Sequence, residues 1–156
     1  ASSLVGSEMC IRDSNNTMFT DQGIIEGKSY EINQFKSTLN NVVEIYADVF
    51  VKHAVPAPGS KIENHAKELI DRAGADVVIV TGDGTGHEIN MDDLEKVRNI
   101  VPEGKLAIGS GVNAANVGAY QDIADILIIG TSFKFDNIVS KKVDINRVEE
   151  IVRKVK

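Results

Sequence analysis

From residue 15 onward, short uninterrupted apolar runs alternate with longer stretches in which apolar residues recur every three or four positions. The short runs, at 42–51, 77–81, 106–108 and 126–129, are rich in Val and Ile and too brief for helices, so they predict strands. The last three are apolar almost throughout, as required when helices cover both faces of a parallel sheet. Helices are expected between them. Ile32, Phe35 and Leu39 share one helical face, as do Ile62, Ala66, Leu69, Ile70 and Ala73. Asn90 is placed to cap a helix that turns Met91, Leu94, Val97 and Val101 inward, with Asp92 and Asp93 at the positive end of its dipole and Pro102 at its end. Asn113 can cap a short helix from Ala114. Asp144 can cap a last one whose stripe is Ile145, Val148, Ile151, Val152 and Val155, and whose Arg153, Lys154 and Lys156 suit its C-terminal end.

A helix followed by four strand–helix units selects an α/β architecture with a parallel sheet. Two closures fit this order. One is a small open parallel sheet, complete in itself; the other is the C-terminal half, strands five to eight, of a (β/α)8 barrel, which needs about 250 residues and eight strands. No linker or low-complexity stretch divides residues 15–156, so they read as one unit.

The strand ends carry the candidate chemistry. The third and fourth strands run into Gly109-Ser110-Gly111 and Gly130-Thr131-Ser132. Glycines let the backbone approach an oxyanion, hydroxyls add donors, and a helix after Asn113 would aim its N-terminus at the same place. A pair of such turns on the last two strands matches the phosphate site of many barrels, which favours the half barrel; the plainer alternative is a pair of tight turns. The second strand ends in Gly82-Asp83-Gly84-Thr85-Gly86-His87-Glu88, either a ligand loop with His87 or Glu88 available for proton transfer or a surface turn. It has neither the Lys of a phosphate-binding P-loop nor the glycine spacing of a dinucleotide fingerprint, and no cofactor is expected.

Along the first strand, Ile45, Ala47, Val49 and Val51 alternate with Tyr46, Asp48, Phe50 and Lys52. The first set suits a face against helices and the second a barrel interior. An inward carboxylate and an inward amine near the C-terminal end of one strand are costly unless paired or used. Asp48 and Lys52 are therefore candidates for proton transfer, or Lys52 for amine nucleophilic work, with a structural ion pair as the alternative. His53 follows and is a third candidate. Asp76 and Asp125 begin strands and read as solvated boundary residues, and His65 borders its helix's stripe and reads as exposed. No ligand spacing supports a metal centre at His53, His87 and a carboxylate.

Residues 1–14 show neither helical nor strand periodicity and no signal-peptide pattern. They resemble translated sequencing adapter and are set aside as a disordered segment foreign to the fold, which leaves the chain reading as the tail of a longer protein. The only cysteine, Cys10, leaves with them, so no thiol chemistry is expected. Composition narrows the classes further. With 42% hydrophobic and 26% charged residues and no run of 18 apolar ones, the chain reads as globular, without disorder at large or direct membrane insertion. The net charge of −6, from 17 basic and 23 acidic residues, argues against nucleic acid as a partner. One cysteine gives no internal disulfide, and a cytoplasmic location is expected.

At these residues the sequence resembles the BtpA/SgcQ family. The matching stretches are Thr20-Asp21-Gln22-Gly23-Ile24-Ile25-Glu26-Gly27, Ala47-Asp48-Val49-Phe50-Val51-Lys52-His53-Ala54, Val80-Thr81-Gly82 with Thr85-Gly86, Gly109-Ser110-Gly111-Val112 and Ile129-Gly130-Thr131-Ser132. The resemblance implies a TIM-like barrel related to phosphate-binding barrels, represented here by the loop after the fourth strand and strands five to eight. Two functions follow from it as expectations. One is an enzyme-like barrel that binds a small phosphorylated ligand and performs isomerase- or lyase-type chemistry. The other is an assembly factor for a membrane complex such as photosystem I, reaching the membrane peripherally through a protein partner, as the family's namesake implies. An exposed half-barrel edge also predicts a homo-oligomer.

Overall fold

The computed structural model describes residues 8–11, 17–21, 23–40, 43–50, 54–82 and 88–155. Five parallel strands form the main sheet: β1 (Glu8–Ile11), β4 (Glu44–Asp48), β6 (Val77–Val80), β7 (Leu106–Ile108) and β8 (Ile126–Leu127), adjacent in that order. A smaller antiparallel sheet joins β3 (Gly23–Ile25), β2 (Met18–Thr20) and β5 (Ala54–Pro56). Five helices connect or flank the strands: α1 (Ser29–Thr38), α2 (Ile62–Asp71), α3 (Met91–Arg98), α4 (Val117–Gln121) and α5 (Ile145–Val152). Each main-sheet strand lies beside the next in the chain, so the order never reverses as it does in a doubly wound sheet. The fold is a partial α/β barrel.

Side chains on the two faces of the sheet separate as the alternation requires. Ile45, Ala47, Val78, Val80, Leu106 and Ile108 face the helices and meet Ala66 and Leu69 of α2, Leu94 and Val97 of α3, Val117 and Tyr120 of α4 and Ile151 of α5. Tyr46, Val77, Ile79 and Ala107 pack on the opposite, interior face with Ile126 and Ile128. The caps at Asn90 and Asp144 form as read, whereas the helix expected from Ala114 begins at Val117. Asn90 Oδ1 accepts the N–H groups of Asp92 and Asp93 at 2.9 and 3.4 Å, and Asp144 Oδ1 accepts that of Asn146 at 3.0 Å. Asn113 Oδ1 accepts from Ala115 and Asn116, so it caps a turn that leads into α4 at Val117.

Several expectations are corrected. Residues 8–11 belong to the sheet: β1 runs parallel to β4 in the register Glu8 to Glu44 through Ile11 to Ala47. Four residues are too few to show periodicity across a fourteen-residue window, yet the open edge of β4 offers a full row of backbone partners. The strand expected at 42–51 is β4 and stops at Asp48, so Phe50 escapes the alternation and joins the helix side, where its ring meets that of His65 edge-on at 5.0 Å. His65 is accordingly half-buried, not exposed, and burial pushes its pKa down. Met91, Phe35 and Leu39 are exposed, as are Ile145 (71%), Val152 (53%) and Val155 of the last stripe. Both α1 and α5 flank the sheet at its ends, where no neighbouring helix among the described residues covers their outer apolar positions.

Asp76 and Asp125 are also more than solvated boundaries. Asp76 Oδ2 accepts the Lys36 ammonium at 2.6 Å and the Ile45 N–H at 2.8 Å. Asp125 Oδ2 accepts the Arg98 guanidinium at 2.7 Å and the Leu106 N–H at 2.9 Å. Each carboxylate thus ties the start of its own strand to the start of the preceding one and to a helix. Burial opposes ionisation of both, but the hydrogen bonds from Lys36 or Arg98 and from the backbone outweigh it and hold both below the usual carboxylate range.

Candidate functional site

The C-terminal ends of β7 and β8 open into a cavity of about 700 Å³. Gly109, Ser110, Gly111, Gly130, Thr131 and Ser132 all line it, so the two glycine turns meet at one place. Their glycines differ in purpose. Gly111 has φ +74°, a conformation in which an L side chain is strained. Gly109 has ordinary φ but no room, since a Cβ there would lie 2.6 Å from Ile79 Cγ2 and 2.7 Å from Thr81 Cγ2. Gly130 has open space where its Cβ would be.

The hydroxyls expected to donate to an anion are engaged in joining loops. Ser132 Oγ donates to the Val112 carbonyl, linking the turn after β8 to the turn after β7. Ser110 Oγ accepts the Gly82 N–H at 3.0 Å, linking β7 to β6, and Thr81 Oγ1 donates to the Phe50 carbonyl at 3.0 Å, linking β6 to β4. One hydroxyl at each junction therefore stitches four consecutive strand ends together. Ser110 is buried and retains a proton to donate, whereas the Ser132 proton is committed to Val112.

The cavity's cation comes from a residue that the sequence reading passed over. Arg147 on α5 lines the cavity, donates to Asn137 Oδ1 at 2.6 Å and to the Ser132 carbonyl at 3.4 Å, and lies 3.9 Å from Asp144. Glu150, one helical turn further on, lines it as well and is paired with Lys154 at 3.4 Å. A signal was present: Asp144 marks the helix start, and Arg147 and Glu150, three positions apart, lie side by side along one edge of the apolar stripe.

Of the other candidates, Asp48 closes β4 and is half-buried on the Tyr46 side, opposite Ile79 in register, but does not line this cavity. Lys52 and His53 lie outside the described residues, as do Gly84, Thr85, Gly86 and His87. Gly82 is buried and lines a second cavity of about 370 Å³ at the ends of β4 and β6, together with Val49, Thr81 and Asp93. Glu88 is exposed and its Oε1 accepts the Asn116 amide at 3.2 Å.

The model of the BtpA family matches residues 2–156. The chain belongs to the BtpA family. Its BtpA-family relatives include an uncharacterized protein of Methanocaldococcus jannaschii, 38% identical over 134 residues, which are 86% of this chain and 50% of that protein. The photosystem I biogenesis protein BtpA of Synechocystis is 34% identical over 135 residues, 86% of this chain and 47% of that one. The chain thus spans about half the length of these relatives. Two solved structures resemble it in fold. N-(5'-phosphoribosyl)anthranilate isomerase from Pyrococcus furiosus has a TM-score of 0.61 at 17% identity, covering 96% of this chain and 62% of that one. The 3-hexulose-6-phosphate synthase from Salmonella typhimurium has a TM-score of 0.64 at 14% identity, covering 97% and 62%. At these identities the likeness is one of fold, and it agrees with the sequential parallel strand order of this BtpA-family chain. Among its described residues no helix is long and apolar enough to cross a membrane.

Proposed function

We propose that this segment of a BtpA-family barrel binds the phosphate group of a small phosphorylated metabolite in the cavity between the turns after β7 and β8. The observation that carries the reading is the convergence of Gly111, Gly130 and the Arg147 guanidinium on one cavity. Arg147 matches a phosphate with two parallel donors, and an acidic chain needs such a local cation because its overall charge repels anions. The names of the two structurally similar enzymes, each containing a phosphorylated group, support the same ligand class. Ser110 and Thr131 add hydroxyls, while Ser132 contributes mainly by fixing the loops. Asp48, at the C-terminal end of β4, would serve proton transfer in isomerase- or lyase-type chemistry, with Lys52 as the partner expected from the sequence.

Isothermal titration of the full chain with inorganic phosphate and with small phosphate monoesters tests the reading. Saturable binding is expected, weakened about tenfold or more by Arg147→Met and abolished by Gly130→Asp, which adds a carboxylate where there is space and no backbone strain. Absence of binding, or binding indifferent to both substitutions, would sink it. The Synechocystis relative's name supports a second reading, an assembly factor for a membrane complex reached through a protein partner. Full-length protein found in a membrane-bound complex, with no phosphate-ester binding, would favour that reading instead.

A further inference from the structure

One amide side chain, Asn116, joins the turn after β7 to the end of the loop after β6. It uses both halves of its polar group: Oδ1 accepts the Asn113 N–H at 2.8 Å, and Nδ2 donates to the Gly111 carbonyl at 2.9 Å and to Glu88 Oε1 at 3.2 Å. Asn113 Nδ2 gives the same Gly111 carbonyl a second donor at 3.2 Å. A carbonyl and the N–H that follows it point in opposite directions across a planar trans peptide, and no peptide among the described residues is cis. Two amides holding the Gly111 carbonyl on one side therefore fix the Val112 N–H on the other. Val112 lines the cavity, and its own carbonyl is held by Ser132 Oγ, so the peptides on both sides of this residue are pinned. The junction is reinforced next to Glu88, where the Ile89 N–H donates to Tyr120 Oη at 3.3 Å, and at Gly82, which donates to Ser110 Oγ.

We infer that Asn116 is a positioning residue for anion binding: it sets the Gly111–Val112 peptide so that the Val112 N–H meets the anion, and it links that peptide to Glu88. This rests on the phosphate reading of the cavity and adds the residue through which Glu88 registers the ligand. An anion on the Val112 N–H polarises the peptide and strengthens the hydrogen bond that Asn116 donates to the Gly111 carbonyl. By linkage, any change at the Asn116–Glu88 contact acts back on anion affinity. Only an amide fits the position. A carboxylate would still accept from Asn113 but would have nothing to donate to Gly111, and would face Glu88 with like charge.

The test is a titration of the isotopically labelled full chain with inorganic phosphate, followed through its backbone and side-chain amide resonances. The Val112 N–H and the Asn116 Nδ2 protons are expected to shift with one common saturation curve, and Asn116→Asp to weaken phosphate binding about tenfold. A side chain that merely stabilised the fold would lower the unfolding midpoint and leave the affinity of folded protein unchanged. Saturable phosphate shifts at Thr131 and Ser132 with Val112 and Asn116 unmoved, or an Asn116→Asp affinity within twofold of the parent, would overturn this inference and leave the cavity reading standing. No saturable shift anywhere would overturn both. Should Asn116→Asp fail to fold, the wild-type Nδ2 resonances decide by themselves, since their immobility at saturation refutes the positioning role.

Discussion

The two ends of the parallel sheet are closed by different chemistry. At the N-terminal end, Asp76 and Asp125 gather an ammonium or guanidinium and a backbone N–H apiece, forming short charge-assisted bonds between strand starts and helices. At the C-terminal end most fastenings are neutral, with Thr81, Ser110 and Ser132 hydroxyls between successive turns and Asn113 and Asn116 amides on Gly111, and charge enters where Arg147, Glu88 and Lys154 meet those turns. The charge-assisted bonds at the first end tie strand starts to helices, away from the cavity. Neutral ones hold the loops while leaving the charge of the cavity to Arg147. In barrels, stability concentrates at the first end and ligand chemistry at the second, and the contrast here shows a physical basis for that division.

The sharpest way to break the comparison is at Asp125. Replacing it with Ala strands the Leu106 N–H and removes the one carboxylate on the Arg98 guanidinium, which keeps the Ile123, Val101 and Pro102 carbonyls, and is expected to cost about 2–3 kcal/mol in urea unfolding while leaving phosphate affinity unchanged. A parallel loss of affinity would mean that the two ends are not separable. Gly109→Ala probes the C-terminal end, one residue past β7. Its Cβ would collide with Ile79 and Thr81, and a loss of about 1–3 kcal/mol is expected from overpacking alone. Unchanged stability would show that the interior face yields more easily than its packing implies.

Acid probes the charged end selectively. The folded-state pKa values of Asp76 and Asp125 lie below their unfolded values, so their contribution is complete above about pH 4 and is lost as the pH falls through the folded values. The unfolding midpoint should therefore drop below about pH 4, and the drop should be shallower in an Asp76→Asn, Asp125→Asn double variant. An identical acid limb in parent and variant would place the responsible groups elsewhere. The smallest expected effect is at the neutral end: Ser132→Ala removes one stitch and should cost about 1 kcal/mol or less, with a weaker effect on phosphate binding than Arg147→Met. The reverse ranking would make the Ser132 hydroxyl itself a ligand group.

Much of the core was legible in the residues. Period-two alternation sorts Ile45 and Ala47 from Tyr46, and capping chemistry locates the starts of α3 and α5 at Asn90 and Asp144. The six cavity-lining turn residues were legible for a similar reason, because a glycine-rich strand end is a local signal. Phe50 was misread because strand alternation was carried beyond Asp48, the residue at which the ladder stops. The exposure of Ile145 and Val152 was hidden because amphipathicity says which face is apolar and not whether anything covers it.

The sequence by itself determined the elements, their faces and the two turns, because these follow from backbone conformation and side-chain direction over a few residues. Only the tertiary structure decided what those pieces meet. It brought Arg147 to Ser132 across 15 positions, Asn116 to Glu88 across 28 and Lys36 to Asp76 across 40, and it drew residues 8–11 onto the edge of β4. Such contacts depend on how the chain closes in space, and local periodicity carries no record of that.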